Sequence, residues 1–206
     1  MVKIVEAKNG GENMSKKIII IEGYLASGKS TFALRLSKDI RVPCFVKDTF
    51  KIALCSNISV PDRSESSRFS TVTFDGMMYA AERLIEMCCL IIIEGNFVPF
   101  GVKKIDEAGR IKELIDKHKC SPLTFKFKGD TQVLYERFIE REKTPERGDV
   151  NRMNGDASYN DFKTWCENLD AFDVGGKTIE IDTTNFDNVD FNGYISFARQ
   201  FIGKSF

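Results

Sequence analysis

The sequence predicts an α/β protein in which helices cover both faces of one parallel sheet. Short runs of β-branched and aromatic residues recur along the chain, and segments with helical spacing separate them. Strands that alternate with helices form parallel sheets, because each crossover helix packs back onto the sheet. A length of 206 residues is enough to bury one continuous core around such a sheet.

Five apolar runs predict the strands. The first, IIII, and the third, LIII, are apolar throughout, which is typical of strands buried on both faces. The predicted strands are residues 18–21, 42–46, 90–93, 123–127 and 178–181. Apolar residues at helical spacing predict helices at 30–38, 77–87, 105–117, 131–142 and 191–202.

Two polar stretches, residues 56–75 and 143–160, interrupt the alternation of strands and helices. Long loops in a compact domain commonly serve as lids or binding loops. The sequence therefore predicts lids at both places.

The composition excludes several classes of protein. The 30 basic and 30 acidic residues cancel, so no overall field favours nucleic acid or an anionic membrane. No apolar run approaches the ~18 residues that a membrane span needs. The sequence contains no C-x-x-C pair, so the usual spacing of zinc ligands is absent. Residues 1–16 contain no apolar signal-peptide core, so we interpret them as a polar leader. We expect one domain over 17–206 and a cytoplasmic location.

Residues 23–30, GYLASGKS, match the phosphate-binding pattern G-x-x-x-x-G-K-[ST] between a predicted strand and a predicted helix. Gly23 and Gly28 allow successive backbone N–H groups to turn inward, and the helix N-terminus adds partial positive charge. We expect Lys29 to reach the β- and γ-phosphates of ATP and Ser30 to bind Mg²⁺. Further nucleotide contacts are predicted at Ala26, Ser27 and Thr31. The alternative interpretation is a glycine turn with an exposed lysine.

Other motifs narrow the class of nucleotide-binding protein. The N-K-x-D or T-K-x-D pattern that reads guanine is absent, and D-x-x-G occurs only at 106–109, inside a predicted helix. A GTPase is therefore not predicted. Few residues follow the fifth predicted strand, which favours a compact kinase over a ring-forming ATPase with a helical lid domain.

The chain resembles the P-loop kinase-like group that includes "AAA domain" ATP-binding proteins, chloramphenicol phosphotransferase-like enzymes and zeta-toxin kinases. The resemblance covers about residues 17–206. It rests on the phosphate-binding loop and on FVKDTF (45–50), LIIIEGNF (90–97) and GDTQVLYERFIER (129–141). It implies a three-layer P-loop NTPase fold, with a five-stranded parallel sheet of order 2-3-1-4-5, flanking helices and a lid.

Two carboxylates are candidates for chemistry at the ends of strands. Asp48 follows the second predicted strand, where ligands of open α/β sheets collect. In similar kinases such an aspartate meets the acceptor hydroxyl as a base; the alternative is a helix N-cap. Glu94 ends the third predicted strand, where it can orient a Mg²⁺-bound water, or remain a solvated acid.

Three arginines near the fourth crossover are candidates for nucleotide binding. Arg137 and Arg141 lie four residues apart, on one face of a predicted helix. In similar kinases the first packs on adenine and the second reaches the phosphates, and Arg147 follows in the predicted lid. The alternative is a solvated face that pairs with Glu136 and Glu140. After the arginines the chain reads ERGDVN, where many relatives have a His-Pro-Gly-His stretch.

The stretch after the fifth predicted strand resembles the adenine-binding loop of similar folds. Thr183, Thr184 and Asn185 are expected to meet the base edge with backbone groups.

These observations predict an ATP- and Mg²⁺-dependent phosphotransferase that acts on an unidentified small molecule. Lys29, Asp48 and Arg141 are its predicted catalytic residues, and Ser30 and Glu94 its predicted metal ligands. One alternative is a nucleoside or nucleotide kinase in which Arg63 and Arg68 bind the acceptor's phosphate. The other is a regulatory or toxin-like component that hydrolyses ATP slowly and binds a macromolecular partner.

Overall fold

The protein is described by a computed structural model that covers residues 16–87, 90–99, 106–153 and 157–203. The predicted leader, apart from residue 16, lies outside these residues. Among the helices of the described part, none is long and apolar enough to cross a membrane.

The described residues form one sheet of five parallel strands. The strands are β1 (Lys17–Gly23), β2 (Cys44–Val46), β3 (Ile91–Glu94), β4 (Ser121–Lys128) and β5 (Lys177–Asp182). Their spatial order is β2-β3-β1-β4-β5. The fold class and the strand order that the sequence predicts are therefore confirmed.

Helices flank this sheet on both faces. They are α1 (Lys29–Ile40), α2 (Lys47–Leu54), α3 (Arg63–Glu86), α4 (Glu107–His118), α5 (Thr131–Glu142), α6 (Tyr159–Glu167) and α7 (Phe191–Ile202). Short 3₁₀ turns lie at Pro145–Arg147, Asp149–Asn151 and Phe186–Asn188.

The central strand β1 divides the core into two apolar layers. Ile18 and Ile20 pack with buried residues of α3 and α4, whereas Ile19 and Ile21 pack with α1 and α7. All four isoleucines are fully buried, because a central parallel strand is covered on both faces. This arrangement explains why the run is apolar at every position rather than at every second one.

The register of the strands brings their carboxyl ends together at one edge. Glu94, the last residue of β3, pairs with Ile21 of β1 and with Val46 of β2. Gly23 of β1 pairs with Phe127 of β4. The residues that follow these four strands therefore emerge next to one another.

The prediction of a long loop at 56–75 is wrong. Helix α3 begins at Arg63, so that most of this stretch is helical. Asp62 caps the helix by accepting a hydrogen bond of 2.9 Å from the backbone N–H of Glu65. Serine and threonine fill the first turns of α3, and their low helix propensity explains why the sequence favoured a loop.

The second predicted loop, 143–160, contains more structure than the sequence indicated. Two 3₁₀ turns occupy its middle, and α6 begins at Tyr159, within the predicted loop. Helices α5 and α6 share a third apolar cluster that includes Phe138, Phe162 and Tyr24. The segment after α5 thus packs against the predicted phosphate-binding loop.

Candidate active site

The predicted phosphate-binding loop, residues 23–30, makes a sharp turn between β1 and α1. Gly23 has a φ of 125°, and a Cβ there would lie 2.1 Å from the carbonyl oxygen of Phe127, so only glycine fits. The backbone N–H of Tyr24 donates to the same carbonyl at 2.8 Å. Ala26 and Gly28 also have positive φ, and the helix begins immediately after Gly28.

Lys29 lies inside this turn. Its Nζ donates hydrogen bonds to the carbonyl oxygen of Tyr24 and, at 3.4 Å, to Ser27 Oγ. The side chain is buried, and burial lowers its pKa, while the carboxylates of Glu94 and Glu22 act in the opposite direction. The exposed glycine-turn lysine of the alternative interpretation is therefore wrong.

Ser30 and Glu94 meet at the edge of the sheet. Ser30 Oγ donates a hydrogen bond of 3.3 Å to Glu94 Oε2. Glu94 is 4% exposed, so the alternative of a solvated acid is wrong. Burial raises its pKa to about 7, although Lys29 lowers it. A hydroxyl and a carboxylate are hard oxygen ligands of the kind that Mg²⁺ prefers, so these two residues fit a magnesium ion. Thr31 lies beside Ser30 with an exposed side chain.

Asp48 lies in the first turn of α2 and does not cap it. The N-cap is Val46, which provides no side-chain hydrogen bond. Asp48 Oδ2 instead accepts a hydrogen bond of 3.2 Å from Arg147 Nη1, and the side chain is 44% exposed. Its negative charge acts on both Lys29 and Glu94. The N-cap interpretation is therefore wrong, and Asp48 faces the same edge of the sheet as Lys29.

Arg141 is half-buried near Glu94, close enough for its charge to lower the pKa of that carboxyl against the larger effect of burial. Within the described residues its guanidinium makes no hydrogen bond or ion pair. The alternative of a solvated face that pairs with Glu136 and Glu140 is wrong, because those carboxylates accept from Gln132 and Lys143.

The guanidinium of Arg147 binds the carboxylates of Glu142 and Asp48. Its Nε donates to Glu142 Oε1 at 2.6 Å, its Nη1 contacts Asp48, and its side chain is 10% exposed. Two carboxylates thus bind the guanidinium, so Arg147 supports Asp48 and its charge is already paired. This placement differs from the nucleotide contact that the sequence suggested.

Arg137 lies against the loop after β5. It donates to the carbonyl oxygens of Thr183 at 2.6 Å and Thr184 at 2.8 Å. These two backbone oxygens, which the sequence suggested as contacts to the base, therefore accept from the arginine instead. The Asn185 side chain caps the next turn by accepting from the N–H of Asp187. Arg137 Cζ also lies 4.2 Å from the centre of the Phe186 ring.

Sequence reasoning missed two residues at this edge. Phe186 is 37% exposed and lies over Gly28 and beside Arg137; only its place directly after Asn185 signalled it. Glu22 precedes the motif and is fully buried, with neither carboxylate oxygen hydrogen-bonded and Lys126 Nζ at 3.7 Å. An acid at the end of an all-isoleucine strand was the available signal.

A separate group of potential metal ligands lies at the C-terminal ends of α3 and α4. Oxygen or nitrogen atoms of Glu82, Glu86 and His118 lie within 4.8 Å of one another. Glu82 Oε1 already accepts from Lys117 at 2.8 Å and lies 2.9 Å from His118 Nε2, and Glu86 pairs with Arg83. Neighbouring cations thus satisfy these carboxylates, and we assign no metal to them.

Comparisons with known proteins bear on the fold. No family model and no curated protein matches the chain. Among solved structures, a proposed kinase from Chloroflexus aurantiacus has a TM-score of 0.79 at 23% identity, over 90% of this chain and 98% of that one. A shikimate kinase from Bacteroides thetaiotaomicron has a TM-score of 0.54 at 14% identity, over 91% and 99%. A sugar kinase from a Janibacter species has a TM-score of 0.55 at 12% identity, over 91% and 95%.

The chain has the P-loop kinase fold. Ligands of open α/β sheets bind outside the carboxyl ends of the strands. In this P-loop kinase fold, that edge holds Lys29, Asp48, Glu94 and Arg141.

Proposed function

We propose that the chain is an ATP- and Mg²⁺-dependent kinase that transfers the γ-phosphoryl group to a hydroxyl of a small molecule. One observation carries the proposal: the buried Glu94, which Ser30 Oγ contacts at 3.3 Å, lies close enough to Lys29, Asp48 and Arg141 for their charges to act on its pKa, at the edge where ligands of such sheets bind. Two cations next to two carboxylates suit a reaction whose substrates are a polyanion, a divalent ion and a hydroxyl.

The donor side of the site is formed by the phosphate-binding loop. Its backbone N–H groups and Lys29 would hold the phosphates, and Arg141 would neutralise charge on the transferred group. Arg141 suits this role because no carboxylate of the described residues forms an ion pair with it. Ser30 and Glu94 would hold Mg²⁺, which neutralises negative charge on the phosphates when bound.

The acceptor side is formed by Asp48. As the acceptor oxygen bonds to the γ-phosphorus and the bond to the β-phosphate oxygen breaks, the hydroxyl proton would pass to Asp48. Arg147 holds Oδ2, while Oδ1 makes no hydrogen bond within the described residues and is available to the substrate. Arg147 is thus proposed to orient the base.

The nucleobase side is formed by Arg137 and Phe186. Two backbone carbonyls hold the guanidinium of Arg137, whose Cζ lies 4.2 Å from the centre of the Phe186 ring. A planar cation and an exposed aromatic ring provide a stacking surface for adenine. The sequence suggested backbone contacts to the base edge from this loop. For Asn185 the proposed contact is its side-chain NH₂ group, which makes no hydrogen bond within the described residues.

The nucleotide-kinase alternative gains no support from Arg68. That side chain is exposed and pairs with Glu65 in the preceding turn of α3, and Arg63 Nη1 lies 3.3 Å from Ser66 Oγ. Phosphorylation of nucleoside monophosphates far above other acceptors would still favour it. Nucleotide-dependent capture of a partner, without turnover of any metabolite, would favour the regulatory alternative.

The proposal is tested by ADP release across a panel of hydroxyl-bearing metabolites with ATP and Mg²⁺. We expect an acceptor that raises ADP release above the rate with ATP alone, and loss of this activity in Lys29→Ala, because the lysine contacts the phosphates. Lys38→Ala, an exposed lysine at the end of the same helix, is the matched control and should retain the wild-type rate. Full activity in Lys29→Ala would contradict the proposed site.

A further inference from the structure

Tyr24 occupies the first variable position of the phosphate-binding loop, and its backbone surrounds the lysine. Its carbonyl oxygen accepts from Lys29 Nζ and, at 2.6 Å, from Ser27 Oγ, while its N–H donates to Phe127. A displacement of Tyr24 would therefore displace the group to which the lysine is bonded.

The side chain of Tyr24 leaves the loop and ends on a distant part of the chain. Its hydroxyl lies 3.1 Å from each carboxylate oxygen of Asp170, in the segment that follows α6. The motif itself allows any residue at this position. The motif therefore does not require the Tyr24 hydroxyl, and among the described residues the hydroxyl bonds to Asp170.

Asp170 is itself held from β4. Lys128 Nζ lies 3.2 Å from its carboxylate, and Lys126 Nζ donates to the carbonyl oxygens of Asp170 at 2.8 Å and Phe172 at 3.3 Å. Both lysines project from β4, which is hydrogen-bonded to a neighbouring strand on each side. The carboxylate therefore provides Tyr24 with a fixed point of attachment.

The environment keeps the hydroxyl a donor. Tyr24 is 9% exposed, and burial together with the bond to Asp170 raises its pKa to about 12. The proton therefore stays on the phenol throughout the neutral range. A hydrogen bond to an ionised acceptor is also stronger than one between neutral groups.

We propose that Asp170 is a positioning residue: through the Tyr24 hydroxyl it fixes the phosphate-binding loop around Lys29 and thereby sets the affinity for nucleotide. The inference rests on the proposed function, since it requires that the loop bind a nucleotide. It makes a residue about 140 positions beyond the motif part of the phosphate site.

The test measures binding of a fluorescent ATP analogue with Mg²⁺ to the wild type, Tyr24→Phe, Asp170→Ala and the double variant. We expect each single variant to raise the dissociation constant by about fivefold, and the double variant to raise it no further, because both remove the same bond. Tyr135→Phe is the matched control: it removes a hydroxyl of the same apolar cluster that donates to Ala157 and not to the loop. Its affinity should equal that of the wild type.

The thermal midpoint of each variant separates positioning from folding. A lowered midpoint with unchanged affinity would overturn the inference, as would independent, additive effects of the two substitutions. If Tyr24→Phe does not fold, Asp170→Ala still tests the bond, because the Asp170 side chain is 43% exposed. Failure of the wild type to bind any nucleotide would instead contradict the proposed function.

Discussion

Two buried carboxylates, Glu22 and Glu94, flank Lys29. Burial raises the pKa of each to about 7, although nearby lysines lower it. Glu94 has an evident use, because Ser30 bonds to it and Mg²⁺ accepts such ligands. Neither carboxylate oxygen of Glu22 accepts a hydrogen bond within the described residues. Ionisation of this buried side chain therefore destabilises the folded state, because no hydrogen bond compensates for the lost hydration.

Stability should therefore depend on pH through Glu22. The pKa of Glu22 is about 7 in the folded state and 4.5 in the unfolded state. The contribution of Glu22 to the free energy of unfolding is therefore fully present below about pH 4.5 and is lost as the pH rises through 7. Glu22→Gln removes this loss, and the difference in unfolding free energy between variant and wild type should grow by up to about 3 kcal/mol from pH 5 to pH 8.5.

Urea unfolding at several pH values, without nucleotide or metal, measures this difference. Glu94 is present in both proteins, so it cancels in the comparison. Glu113→Gln, at an exposed position of α4, is the control and should follow the wild type. A constant difference between Glu22→Gln and wild type across the pH range would contradict the assignment.

At the scale of elements, the 3₁₀ turns at 145–151 lie across the N-terminal ends of α2 and α3. Arg147 reaches Asp48, Asn151 Nδ2 donates to the Asp48 carbonyl oxygen at 3.3 Å, and Ser66 Oγ donates to that of Val150 at 2.6 Å. The segment thus covers the helix that carries the proposed base. We propose that it is the lid that the sequence suggested.

Gly148 permits this docking. Its φ is 63°, and a Cβ would lie 2.7 Å from Ile52 Cγ1 of α2. We expect Gly148→Ala to weaken docking by about 1–3 kcal/mol, because both backbone strain and the clash oppose it. Amide hydrogen exchange should increase across 143–153 more than in the central strands.

Gly175→Ala is the control for backbone strain alone. Gly175 also has a positive φ, 78°, but nothing lies within 4 Å of a Cβ there. Its substitution should leave exchange at 143–153 unchanged. Equal exchange in Gly148→Ala and wild type would show that the segment does not need this close approach.

Local patterns of apolar residues predicted most of the strands and helices, but they did not predict the N-terminal half of helix α3. Its C-terminal half carries Met77, Ala81 and Ile85 at helical spacing, and the sequence predicted a helix over 77–87. Its first turns bury serine and threonine through hydrogen bonds, for example from Lys51 to Ser66, so no apolar period marks them. The cap pair Asp62 and Glu65 was the signal that remained.

At the scale of the whole molecule, the proposed nucleotide would contact the loop before α1, helix α5 and the turn after β5. A ligand that binds only the folded state stabilises it by mass action. At about 100-fold above its dissociation constant, Mg²⁺-ATP should add about 2.7 kcal/mol, or roughly 5–10 °C in thermal midpoint for a chain of this size.

Differential scanning fluorimetry with ATP measures this shift. Chelation of the metal should reduce it, and Ser30→Ala should lessen the difference between the two conditions, because the hydroxyl is a proposed ligand. Lys29→Ala should show little shift at the same concentration. An unchanged wild-type midpoint at millimolar Mg²⁺-ATP would contradict nucleotide binding.

The sequence by itself determined the alternation of strands and helices and the turn at Gly23, since these depend on local composition and on motif chemistry. The order of the parallel strands followed from the resemblance of the sequence to P-loop kinases. The sequence also named the residues that converge at the sheet edge. Only the tertiary structure decided the partners of the arginines: Arg141 is left without an ion pair among the described residues, whereas Arg147 is bound by two carboxylates. The bond from Tyr24 to Asp170 likewise spans 146 residues. Long-range pairing of polar side chains leaves no periodic trace in the sequence, because it depends on how the elements pack.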